Sequence, residues 1–397
     1  MELKLGELNG KYLYRILYVL TAVTAAIPVA CNYIMSGGIV TDWINRVTTL
    51  SSGPLQLFSL SKVDSNLWLF PFVLFYRLSG NMVLTYRICM LMIQIGTLVS
   101  AKLFFETFFG DRESRFSAFF GILLYMTCPY RIYICYDLAD LSAALVWMLL
   151  PLYARAVWDL LHQKHILRDL IVSVPTLAGI GYAGTVYFLI TAGLTLLTVL
   201  FYKKALPLIS VGAGALLFIP GLYHLMQYLT GDIYQELNIP LHSIMPSGYR
   251  PGQFFSIYAF RDGYPGMGLG ILICLLVGLW LRFVNGEKIL SGKEHYFTFL
   301  AVLLLILSTR FFPWDIIQRI GPPALKLISL INTPAIFAGL AYNCLCIPAA
   351  CAAGRISKYE NRLLAAAIPV FVLIAGIGIC IYQCNTLTFT RLPLELP

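Results

Sequence analysis

The sequence predicts an all-α, polytopic bundle of transmembrane helices, and three observations carry that expectation. Hydrophobic residues fill 59% of the 397 positions, charged residues only 12%, and the mean hydropathy is +0.78, whereas a soluble domain carries about 25% charged residues. Apolar runs long enough to cross a hydrocarbon core, roughly 20 residues as helix, recur along the chain. Lys and Arg gather in the short connections between those runs.

Taken in order, the runs predict about eleven spans, near residues 12–35, 82–106, 115–128, 140–161, 169–182, 184–202, 206–229, 267–284, 296–309, 330–353 and 363–383. The first is longer than a signal-peptide core and lacks a small-residue cleavage site, so it reads as a retained span. The apolar stretch 169–202 is too long for one helix, and Gly179, Gly181 and Gly184 predict a hairpin turn inside it.

Charge sets the expected orientation. With the N terminus cytoplasmic, Lys4, Lys11, Arg112, Arg115, Lys164, Arg168, Lys203, Lys204, Lys288, Lys293, Arg355, Lys358 and Arg362 share the cytoplasmic side, which supports two helices in 169–202. The C terminus and the longer connections then lie outside: 36–81, 230–266 and 310–329. Within the first of these, residues 40–60 and 66–80 suit interfacial segments, too short or too mixed to span. The whole chain, 1–397, reads as one transmembrane domain without linker, low-complexity tract or internal repeat.

Several function classes drop out. The net charge of +9 reflects loop anchors obeying the positive-inside rule, not a phosphate-neutralising face, so no nucleic-acid partner is expected. The ten cysteines include no CxxC pair, and the five histidines are scattered, so no metal centre is expected. Cys31, Cys128, Cys135, Cys380 and Cys384 fall near one predicted face, where a disulfide is open on sequence grounds. The run Gly266-Met267-Gly268-Leu269-Gly270 opens a membrane helix rather than following a strand, which excludes a dinucleotide fingerprint.

Charges beside a bilayer are costly and therefore candidates for chemistry. Asp42, Arg46, Arg87, Arg131, Asp137, Asp140, Arg250, Arg261, Asp262, Arg310, Asp315 and Arg319 are those not explained as cytoplasmic anchors, and all but Arg87 fall in or beside the outer loops. Carboxylates and arginines converging on one face could bind a lipid-linked phosphate and do acid-base work on a hydroxyl. Solvated interface residues and internal ion pairs are the alternative for each.

One long helix followed by Thr41-Asp42-Trp43-Ile44-Asn45-Arg46 and two interfacial segments resembles the GT-C superfamily of membrane glycosyltransferases. Two further segments resemble a bacterial branch, the 6-pyruvoyl-tetrahydropterin-synthase-related membrane proteins, whose label implies no pterin chemistry. They are Cys128-Pro129-Tyr130-Arg131-Ile132-Tyr133-Ile134-Cys135-Tyr136 with Leu149-Leu150-Pro151-Leu152, and Phe312-Pro313-Trp314-Asp315-Ile316-Ile317-Gln318-Arg319. The resemblance implies a multi-pass protein of the bacterial cytoplasmic membrane acting in cell-envelope glycan assembly. Its donor would be a polyprenyl-phosphate-linked sugar, used on the extracytoplasmic face.

Under that resemblance Asp42 is the base that activates the acceptor. Arg46, Arg131, Arg250, Arg261 and Arg319 contact the lipid-linked phosphate, with Tyr136, Asp137, Asp140, Trp314 and Asp315 as further site candidates. It implies no redox cofactor and leaves room for a divalent cation at Asp42, as some GT-C enzymes use one. Leu138 and Ala143 stand where relatives carry Arg and Glu, and Thr333-Pro334-Ala335-Ile336 replaces a second Phe-Pro-Trp-Arg. These departures favour the alternative of a non-catalytic partner of an envelope-assembly complex; a lipid-linked substrate transporter or flippase is a further alternative, for which the sequence shows neither the paired broken helices nor the internal repeat expected.

Overall fold

The computed structural model describes residues 15, 18–23, 38–52, 67–110, 115–138, 140–230, 244–255, 264–285, 293–331, 333–356 and 378. Those residues are almost entirely helical, with no strand longer than one isolated bridge among them. Most of the expected span 12–35, and all of 363–383 but residue 378, lie outside the described residues, as do Arg261 and Asp262.

In chain order the helices are α1 (Gly38–Ser52), α2 (Phe70–Ser79), α3 (Met82–Phe109), α4 (Arg115–Met126), α5 (Pro129–Ile132), α6 (Leu141–His162), α7 (Ile166–Ala183) and α8 (Thr185–Tyr202). They continue as α9 (Pro207–Leu217), α10 (Ile219–Thr230), α11 (Leu269–Asn285), α12 (Lys293–Ser308), α13 (Trp314–Gln318), α14 (Pro322–Ile331) and α15 (Ala335–Ile356). Among the described residues six helical segments are long and apolar enough to cross a membrane, or seven if the bent pair α9–α10 is one span. The chain is a multi-pass membrane protein. The remaining apolar helices, α11 and α12 among them, are shorter than the eleven-span expectation needs.

α15 is the axis of the bundle. It packs on α12, α11, α4 and α5, and its Ala338, Ala341, Ala349, Ala350 and Ala353 are buried in the largest core cluster. Small side chains let neighbouring backbones approach closely, the usual basis of helix association in a bilayer. Gly339 shows this directly, because a Cβ there would overlap the Tyr130 ring. A second cluster joins α1, α2 and α3 to Cys135 and Leu141, and a third joins α6, α7, α8 and Phe218.

Three sequence expectations are corrected in detail. Residues 169–202 do form two helices, but Gly179 and Gly181 lie inside α7, and the break falls at Gly184 alone, which is extended (φ −170°, ψ 118°). Residues 206–229 bend by 77° at Phe218, because Pro220 has no N–H to continue the ladder. Beside the bend the Leu217 carbonyl accepts from the Tyr182 hydroxyl at 2.7 Å. The span expected at 330–353 starts only at Ala335, after Pro334 separates it from α14.

The basic end of the bundle is tied by charge. Arg168 Nη2 lies 3.0 Å from Asp169 and 3.6 Å from Asp159, closing the α6–α7 turn. Lys204 donates to the Leu161 carbonyl at 2.6 Å, capping α6. Buried Glu294 on α12 accepts from both Arg282 of α11 and Arg355 of α15. These contacts gather Lys164, Arg168, Lys203, Lys204 and Arg355 at one end, as the loop-charge reading expects.

Candidate functional site

At the opposite end three separate segments fold over the start of α15. The first is the Pro-Tyr-Arg turn. α4 stops at Met126, Cys128 turns the chain, and Pro129 opens α5 at a position where its missing N–H costs nothing. A π-helical turn over Tyr133–Asp137 follows, and Asp140 then caps α6, accepting from the Ala143 amide at 3.0 Å and the Ser142 hydroxyl at 2.7 Å.

Arg131 folds back beneath this turn and is only 2% exposed. Its Nε and Nη2 donate to the Met126 carbonyl at 3.2 and 2.6 Å, and Nη1 donates to Gln94 Oε1 of α3 at 2.6 Å. The guanidinium therefore sits on the C-terminal carbonyls of α4, where the helix dipole is negative and the acceptors lack intrahelical donors. Arg77 does the same for α1, donating to the Leu50 and Ser51 carbonyls at 3.0 and 3.2 Å.

The second and third segments meet in an isolated parallel bridge between Tyr249 and Thr309. The Tyr249 amide donates to the Ser308 carbonyl at 2.9 Å, and the Arg310 amide donates to the Tyr249 carbonyl at 3.1 Å. Only glycine fits at 248, since a Cβ would come 2.8 Å from Arg310 Cα. Tyr249 is fully buried, stacked on Phe254 and edge-on to Tyr264, with its hydroxyl donated to the Pro265 carbonyl at 3.0 Å. Burial pushes its phenol well above the usual range, so it stays neutral.

These segments reach the Pro-Tyr-Arg turn. Gly268, at φ +87°, abuts the Pro129 ring, so this glycine serves a turn and a close approach. Tyr130 packs among Trp147, Tyr133 and Tyr342. Trp314 is buried, stacked on Phe337 of α15 at 5.6 Å, and donates its indole N–H to the Leu307 carbonyl at 3.0 Å. The two motifs that carry the family resemblance thus lie against the same helix.

The surface of this cluster is basic and apolar. The bridge places Arg250 and Arg310 side by side, each following a paired residue; Arg250 is exposed, and the Arg310 guanidinium lies over the Phe311 ring at 5.4 Å. Arg319 is exposed at the end of α13. Among the described residues none of these three arginines forms an ion pair. Phe255, Phe311, Ile316 and Ile320 stand exposed around them.

The other candidates are placed as follows. Asp42 and Arg46 lie on α1, Arg46 half-buried, and the Asp42 side chain is outside the described residues. α1 buries Ile44, Val47 and Leu50 in the cluster that also holds Cys135 and Leu141, which brings it to the π-helical turn. Tyr136 and Asp137 lie on that turn with side chains outside the described residues, and Asp315 is half-exposed on α13. Cys128 and Cys135 are buried free thiols. No group of three or more His, Cys, Asp or Glu converges as a metal-ligand set among the described residues.

Sequence reading did not single out Tyr249 or Gln94. Neither carries a motif; Tyr249 is signalled only by its place in the run Gly248-Tyr249-Arg250-Pro251. Comparison with family models, with curated proteins and with solved structures gives no match for this chain.

Proposed function

We propose that the chain is a GT-C-like membrane glycosyltransferase that takes a polyprenyl-phosphate-linked sugar at the loop end of the bundle. The observation that carries this reading is the pairing of Arg250 with Arg310. The Tyr249–Thr309 bridge puts Arg250 and Arg310 at neighbouring backbone positions, and an arginine fork matches phosphate geometry in bidentate fashion. Exposed Phe255 and Phe311 beside them suit a ligand whose remainder is hydrocarbon.

In the reaction, the carboxylate of Asp42 accepts the proton of an acceptor hydroxyl as that oxygen attacks the anomeric carbon. The bond from the anomeric carbon to the phosphate oxygen breaks, and polyprenyl phosphate leaves with its charge held by Arg250, Arg310 and Arg319. The positive-inside distribution supports an extracytoplasmic position for this end.

A specific observation favours a second reading, a non-catalytic lipid-binding partner within an envelope complex. Arg131 and Asp140 are committed to helix ends, and the neighbouring positions Leu138 and Ala143 offer no replacement charge.

Both readings are tested on purified protein in nanodiscs, with polyprenyl phosphate as the probe and a matched polyprenol lacking phosphate as control. Arg250→Ala with Arg310→Ala is expected to weaken phosphate-dependent binding by at least about tenfold, since charge-assisted hydrogen bonds contribute about 1.5–3 kcal/mol each. Asp42→Asn is expected to bind normally while transfer falls by roughly 10² to 10⁴. Binding without transfer for any polyprenyl-phosphate sugar selects the second reading, and binding indifferent to the phosphate removes both.

A further inference from the structure

Away from the loop end, the half of the bundle nearer the basic end holds a partly open cavity of about 150 Å³ that the transfer reading does not use. Its walls come from α3, α4, α6, α8, α12 and α15, through side chains such as Phe105, Val157, Leu194, Leu300 and Ile347. All but one of the polar groups in the wall that bear on its wetting are satisfied; the exception is the buried Asn343 side-chain oxygen, a single acceptor where a buried water needs two or more polar partners. Tyr125 donates to the Trp147 carbonyl, Tyr153 is bonded to Thr195, and Thr195 and Thr198 donate to carbonyls of their own helix. Tyr296 is bonded to Thr198 and, with Phe201 and Tyr202 around its ring, closes the cavity toward the basic end.

An apolar cavity of about this size stays dry and accepts apolar guests, because water would have to give up its hydrogen bonds to enter. At this depth the medium outside is hydrocarbon rather than water. The outer face of α8 exposes Leu196, Leu197 and Leu200, and that of α12 exposes Phe299 and Val302.

We propose that this cavity receives one hydrocarbon chain of a bilayer phospholipid, which passes between α8 and α12 from the surrounding leaflet. The chain supplies the dispersion contacts that the wall otherwise lacks, so the lipid acts as a built-in part of the bundle core. The site is independent of the transfer reading and stands or falls without it.

The test uses the full chain reconstituted in nanodiscs containing phosphatidylcholine with a diazirine at the end of one acyl chain. After irradiation, cross-links are mapped by peptide mass spectrometry. Labelling is expected at inward-facing Val157, Leu194 and Leu300 as well as at outward-facing Leu196 and Phe299. Ala154→Phe, which fills the cavity from α6, is expected to abolish the inward labelling and spare the outward labelling. If that variant does not elute as a single folded species, Ala154→Leu is read in the same way. Labelling confined to the outward faces, or inward labelling that survives filling, overturns the proposal. A filled variant that melts higher while the wild type shows no inward cross-link identifies an empty cavity and overturns it equally.

Discussion

A charge beside the bilayer is expensive, which is why the sequence singles out Arg131 and Asp140 as chemical groups. The structure meets that expense locally: Asp140 accepts from the first turn of α6, and Arg131 sits on the end of α4 with Gln94 as its second partner. The capping role of Asp140 is legible in Asp140-Leu141-Ser142-Ala143, a helix-start pattern. The role of Arg131 is not, because its partner Gln94 lies 37 residues earlier on another helix. Arg131→Ala is therefore expected to cost about 2–4 kcal/mol, the price of stranding two buried acceptors. Thermal unfolding in detergent measures it; an unchanged melting temperature, with phosphate binding lost, would return Arg131 to the ligand. Arg250→Ala is expected to behave oppositely, sparing stability and weakening phosphate binding, because its side chain is exposed.

At the scale of elements, helix existence was readable and helix continuity was not. Apolar runs place the long described helices, yet 310–329, read as a connection, holds α13 and most of α14, and 206–229 reads as one span although it bends by 77° at Phe218. Pro220 is a visible signal for the break; the support for it is tertiary. The Phe218 ring is buried against Phe188 and Tyr182 and needs clearance at both Gly181 and Gly221. A Cβ at Gly221 would overlap the ring, so Gly221→Ala is expected to destabilise by about 1–3 kcal/mol through overpacking. Gly212→Ala, on α9 with open space around it, should be close to neutral. Comparing the two melting temperatures separates crowding at the bend from any general effect of losing a glycine.

For the molecule as a whole, composition settles that the chain is a multi-pass membrane protein, and the loop charges give the expected direction. The number of spans resists the sequence because hydropathy marks which segments are apolar but not how long each helix runs. α11 and α12 are both apolar and both shorter than a comfortable span. Orientation can be checked directly. A cysteine placed at Lys203, beside the Lys204 cap on α6, is expected to resist a membrane-impermeant maleimide in intact cells and to react after permeabilisation. Labelling of intact cells would invert the topology and put the Arg250–Arg310 face in the cytoplasm.

The place of α15 at the axis also sets an order of events during synthesis. The described helices that pack most on it, α4, α5, α11 and α12, all leave the ribosome first. Until Ala335–Ile356 arrives, the α4 and α11 side chains of the largest core cluster lack the neighbours that α15 supplies, and of its two arginine partners Glu294 has only Arg282. Assembly of these helices is then expected to include a late step, in which the small-residue helix joins those already inserted and Arg355 closes on Glu294. A nascent chain halted before that helix would carry an open, lipid-filled seam through its middle, the kind of lesion that membrane quality-control proteases recognise.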